Sequence, residues 1–190
     1  VSEELPTARR TLYTGIVTRN DDPLKIGRVK VRIAGLIEPE SGWCFPLASA
    51  GGGEDGLGFY AVPKSGAEVG VWFLQGDTDV PFYVPAQWGA PGGASQAPTP
   101  VRDATPAEAP EIRCFETPRF LLVFDDRPGR ESFEIRDKLS GDGVAYDGVQ
   151  RALRVKATSA VVIEATGAVS IDGLAVTIAG RPVIPGAGPI

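Results

Sequence analysis

Residues 153–176 read LRVKATSA VVIEATGA VSIDGLAV, and cut every eight residues they repeat. Position one is Leu153, Val161 and Val169, and position three is Val155, Ile163 and Ile171. Position four is charged each time (Lys156, Glu164, Asp172), and position five is small (Ala157, Ala165, Gly173). A fixed short repeat of β-branched residues with a small residue at the corner predicts a β-helix or β-prism. Each turn is one strand and one bend, stacked on its neighbours. Three octads of one chain have no second face to pack on. The repeat therefore predicts association. The simplest form is three copies about one axis, with apolar positions inside and Lys156, Glu164 and Asp172 outside. The expected core is Leu153, Val155, Val161, Ile163, Val169, Ile171, Val176 and Ile178. The competing reading is an ordinary sheet edge in a globular domain.

Downstream, RPVIPGAGPI (residues 181–190) cannot continue the octad and is expected to cap the apex, with Val183, Ile184, Pro185 and Ile190 at the tip. Upstream, residues 111–152 read as neck strands. FLLVF places Phe120, Leu122 and Phe124 on one face, and Phe133 and Ile135 return inward after the turn Asp125-Asp126-Arg127-Pro128-Gly129. Residues 91–110, rich in proline, alanine and glycine, read as a semi-extended linker. Residues 12–90 read as short strands. GRVKVRI sets Val29, Val31 and Ile33 against Arg28, Lys30 and Arg32, and Val69, Val71 and Phe73 alternate with Glu68, Gly70 and Trp72. In TLYTGIVT the inward set is read as Leu12, Gly15 and Val17. Five or so short strands in so small a module predict a closed barrel of the OB type, which removes sheet edges. Residues 1–11 are an N-terminal arm. The expected fold is all-β: an OB barrel followed by a trimeric, intertwined β-helix or β-prism needle.

The composition narrows the chemistry. The 190 residues carry 19 Lys and Arg against 24 Asp and Glu, a net charge of -5. That balance disfavours a protein built to hold a phosphate backbone. With 0 histidines there is no Ser-His-Asp triad, no Cys-His dyad and no imidazole metal site. Two cysteines, Cys44 and Cys114, build neither a disulfide framework nor a four-thiolate zinc site. Buried free thiols are the ordinary reading, and a single bridge within or between chains stays open. The 24 glycines and 17 prolines favour short strands over long helices. No stretch approaches the ~20 apolar residues of a membrane span. The acidic start, Val1-Ser2-Glu3-Glu4, does not read as a signal peptide, so synthesis in the cytoplasm is expected.

Individual motifs are weak. GGGEDG at residues 51–56 fits a dinucleotide loop, but a proline-containing strand-like stretch follows it instead of a helix. Lys64-Ser65 lacks the upstream glycine spacing of a phosphate loop. The pairs Asp21/Asp22, Asp77/Asp79 and Asp125/Asp126 sit at strand ends beside Pro or Gly, where aspartates commonly fix turns. The stripe of Arg28, Lys30 and Arg32, with Trp43, Tyr60 and Trp72 in the same module, is how an OB barrel grips single-stranded nucleic acid. Glu38, Glu40, Glu54, Asp55 and Glu68 dilute that field.

The order of pieces resembles the central spike, or baseplate assembly protein V, of contractile-tail phages. It is similar as well to the VgrG spikes of type VI secretion and other contractile injection systems. The matching pieces are Tyr13-x-Gly15-x-Val17, Asp22-Pro23, Gly27-Arg28-Val29-Lys30-Val31 and Trp43-x-x-Pro46. Next come Pro63-x-x-Gly66-x-x-Val69-x-Val71-x-Phe73 and Gly76-Asp77-x-x-x-Pro81, then a neck-like FDDRPGRESFEIRDKLSGDG and the octads. The resemblance implies a non-enzymatic homotrimer in a phage baseplate or assembled injection particle. Its OB domain meets a hub protein, its needle pierces the target envelope, and a PAAR-type tip protein sits at the C-terminus. It implies no cofactor and no nucleic acid. The chain departs from relatives that insert a lysozyme domain after the barrel, and from those that bind iron at the tip through histidines. FYVPAQWG replaces the usual glycine-ended final strand. The first rival reading is an OB-fold single-stranded nucleic-acid binder with an oligomerising tail. The second is a secreted carbohydrate-binding or hydrolytic β-protein.

Overall fold

Alternation at period two builds the first unit. Val29 and Val31 are 0% exposed, and Val69, Val71 and Phe73 are buried with them. Their neighbours on the same strands face outward. The structure is a computed structural model; it describes residues 11–47, 55–85 and 88–183. The chain falls into two units, Val1–Gln96 and Ala97–Ile190. The first holds β1 (Tyr13–Arg19), β2 (Lys30–Arg32), β3 (Phe45–Pro46), β4 (Glu68–Phe73) and β5 (Pro81–Val84). Their order in the sheet is β2-β1-β4-β5-β3. All neighbours are antiparallel except β3 and β5, which are parallel. The sheet curls until its two sides meet. Val29 and Cys44 exchange backbone hydrogen bonds of 3.2 and 2.7 Å, and the Ser41 N–H reaches the Val31 carbonyl at 2.8 Å. The curl covers polar backbone that open edges would expose.

Val17, Val29, Val31, Ile33, Cys44, Val69, Val71, Phe73 and Tyr83 fill the interior. Tyr83 lies on β5, so FYVPAQWG does supply a barrel strand. Its hydroxyl donates to the Gly27 carbonyl at 2.6 Å, which satisfies a buried polar group. Burial pushes that phenol up to about 12. On β1 the inward residues are Tyr13, Gly15 and Val17, and Leu12 is 65% exposed. The expectation for Leu12 fails on parity: residues 12 and 15 cannot share a face of one strand. Leu12 lies instead against Gly70, on the outer surface.

The second unit is a consecutive meander of β6 (Ile112–Glu116), β7 (Phe120–Asp125), β8 (Ser132–Asp137), β9 (Gly143–Asp147) and β10 (Ala152–Lys156). Every neighbouring pair is antiparallel. The β7–β8 turn is fixed by Asp125, which accepts from the Arg127 N–H at 3.1 Å. Gly129 takes φ 77 there, a value costly for a residue with a Cβ. Asp137 closes the next turn by accepting from the Leu139 N–H at 2.8 Å.

Residues 97–110, expected to be part of a semi-extended linker, form with Glu111 a strap clipped to this sheet. It contains one helical turn, α1 (Thr99–Arg102), which packs on β6. β10 crosses the expected boundary at residue 153, so the first octad begins inside the meander. Beyond it, residues 157–176 form no strand among the described residues; a short hairpin of β11 (Thr177–Ile178) and β12 (Arg181–Pro182) follows. A single chain thus forms no β-helix here. Bends do recur, at residues 158–159, 166–167 and 173–174. The first two fall after the small residue of their octad rather than on it, where Thr158-Ser159 and Thr166-Gly167 offer turn-forming side chains or none.

Candidate functional site: an uncovered apolar sheet face

Residues directly opposed in an antiparallel pair point to the same side. The register therefore aligns Phe115, Leu122, Ile135, Val144 and Val155 in one row, and Arg113, Phe124, Phe133, Tyr146 and Leu153 in the next. Phe124, Phe133 and Tyr146 form an aromatic ladder, with ring centroids 6.4 and 6.3 Å apart. Apart from Arg113 opposite Phe124 and Asp137 opposite Phe120, the strand positions on this face are apolar, yet Phe120 is 53% exposed and Ile135 50%. A contiguous apolar patch of this kind marks an interaction surface.

The opposite face carries Glu116, and the strap lies on that side. Glu116 accepts from the Thr99 N–H at 2.6 Å, the Thr99 hydroxyl at 3.0 Å and the Lys138 ammonium at 2.7 Å. The ammonium first, then Thr99, pull its carboxyl down to about 2. Glu108 ties down the other end, 3.8 Å from Arg127 and 3.6 Å from Arg130. Ile112 and Leu121 are buried on this face. Cys114, Val123, Ala145 and Ala152 share this face, interleaved with polar Glu134, Arg136, Arg154 and Lys156.

The structure places the expected core residues in two groups. Leu153 and Val155 lie on the apolar face of the meander, in register with Tyr146 and Val144. Val161, Ile163, Val169, Ile171 and Ile178 are exposed, with no strand partner from residue 157 to residue 176. Val176 is half-buried, and its carbonyl accepts from the Val183 N–H at 2.7 Å. Of the expected tip residues, Val183 is described; Ile184, Pro185 and Ile190 lie outside the described residues. Sequence reading missed that Phe115, Val144 and Tyr146 share this face. Their parity relative to the two turns was the signal.

The basic stripe of the barrel is charge-balanced. Arg28 pairs with Asp22 at 2.7 Å, Lys30 with Glu40 at 2.7 Å and Arg32 with Glu38 at 3.8 Å. Arg19, Arg28 and Lys30 surround the Trp43 ring at 5.7, 5.4 and 5.6 Å. Asp22 also accepts from the backbone N–H groups of Leu24, Ile26 and Arg28. The Arg28 guanidinium and these donors hold its carboxyl well below the usual range. The acidic pairs act in turns: Asp77 accepts from the Asp79 N–H at 2.9 Å, as Asp22 and Asp125 do in theirs. Ser65 donates to the Thr18 carbonyl at 3.1 Å, a turn contact. Of the GGGEDG stretch, residues 51–54 lie outside the described residues. Cys44 is buried and Cys114 half-buried, both as free thiols, and burial pushes both upward. Among the described residues, no group of three or more His, Cys, Asp or Glu side chains is set to hold a metal ion. No helix there is long and apolar enough to cross a membrane.

A five-stranded curled sheet of this order, with one parallel pair and an apolar interior, defines an OB domain. Residues 13–88 match the family model of the type VI secretion system/phage-baseplate injector OB domain. The resemblance drawn from the sequence holds over that segment. The match supports a baseplate-type structural role. A search of the curated proteins gave no match.

Proposed function

We propose that this chain is a non-enzymatic spike of a phage baseplate or related contractile injection machine, working as a homotrimer. The OB domain joins it to the hub. The octads wind with those of two other copies into a needle that pierces the target envelope, and a PAAR-type protein seats on its tip. The observation that carries this reading is the succession within one chain: an injector OB domain, then a sheet apolar on one side, then a repeat with exposed Val and Ile. Apolar positions without partners in their own chain call for partners from other chains. Interchain ladders and stacked Val and Ile layers would make a stiff rod, and a spike driven by contraction elsewhere needs stiffness rather than catalysis. The rival nucleic-acid reading loses its main support, because the stripe's cations are already paired.

Light scattering on the purified chain tests the assembly. Three chains of 20.0 kDa give about 60 kDa, and the value should hold on dilution. A mass of 20.0 kDa at all concentrations would overturn the trimer.

A further inference from the structure

We propose that copies of this chain first join through the apolar face of the β6–β10 sheet, which sets their register, and that the octads become ordered only downstream of that contact. The proposal rests on the trimeric reading above and adds which surface holds the copies together. The sheet is complete within one chain, so its apolar face exists before any partner arrives. The octads are not: from residue 157 to residue 176 no strand ladder forms among the described residues. A preformed surface binds without a further ordering cost, whereas an unpaired segment must be ordered as it binds. The first productive contact therefore falls on the sheet.

The occupant is a further copy of the same chain. β10 belongs to both regions, so Leu153 and Val155 open the apolar seam on the sheet at positions one and three of the first octad. A partner that covers the face must carry on along a seam of eight-residue period, and another copy has that period in the same place. On the opposite face the strap, pinned through Glu116 and Glu108, covers the β6 side, and the open part carries the charged Arg136, Arg154 and Lys156. The apolar seam therefore lies on one side of the sheet.

The test uses the full chain. Ile135→Asp and Phe124→Asp alter the sheet face; Ile163→Asp alters an octad. In a single chain all three positions are exposed, so each variant should fold, as circular dichroism checks. Both sheet variants should sediment as monomers of 20.0 kDa. Ile163→Asp should stay trimeric while amide exchange across residues 157–176 speeds up. Should the aspartates disturb the fold, Ile135→Thr keeps β-branching and should weaken association by about tenfold or more. If the sheet variants remain trimeric, or Ile163→Asp is also monomeric, the proposal is overturned while the trimeric reading stands. If the unaltered chain is itself monomeric, both fall.

Discussion

At Gly15 the barrel interior has no room for a side chain. A Cβ there would stand 2.8 Å from the Val71 Cγ2 and 3.3 Å from the Val31 Cβ. Gly15→Ala is expected to destabilise the first unit by about 1–3 kcal/mol through overpacking. A urea titration followed by tryptophan fluorescence reads it, and an unchanged midpoint would mean that the wall has slack. Gly15 also explains why β1 was harder to read than β2. Val29, Val31 and Ile33 announce their face because each is apolar and each neighbour charged. Glycine gives no hydropathy, so Leu12 was counted on the wrong side. Asp22 was legible as a turn residue, but its pairing with Arg28 six residues on depends on how the loop returns to the strand, which no local pattern shows.

Among the elements, the strap over residues 97–111 has a pH signature. Glu116 has a folded pKa of about 2 against 4.5 ordinarily. Its contribution to stability is full above the ordinary value and fades as pH falls from 4.5 towards 2. Glu116→Gln should therefore unfold at a lower temperature than the unaltered chain at neutral pH, with the gap closing as pH drops through that window. Thermal scans across pH check this; a gap independent of pH would show that the charge on Glu116 does not hold the strap. The strap was not legible in the sequence. Its prolines and alanines carry no period, and what fastens it is side-chain bonding by Glu116 to Thr99 and the ion pairs of Glu108 with Arg127 and Arg130 rather than an apolar pattern. The meander was legible in its turns and in Phe120, Leu122, Phe124, Phe133 and Ile135, because aspartate and glycine mark the reversals and alternation marks the faces.

For the whole molecule, the pairing of Arg28, Lys30 and Arg32 with carboxylates leaves little free positive field on the barrel. A labelled single-stranded oligonucleotide should show no anisotropy rise that weakens between about 50 and 200 mM salt. A steep salt-dependent rise would return the nucleic-acid reading to first place. The need for partners was legible from the octads because a repeat of apolar residues without a second layer is incomplete by itself. The place of each bend was not, since several small or polar residues in each block serve a turn equally well. The bends have a consequence for how such a tail can change in length. With the first two eight residues apart, adding or removing one whole block keeps every valine and isoleucine on its side. Loss of a single residue ahead of a block would carry Glu164 and Asp172 round to where Ile163 and Ile171 now stand. Length here is a counted quantity, open to change by whole blocks and closed to anything between.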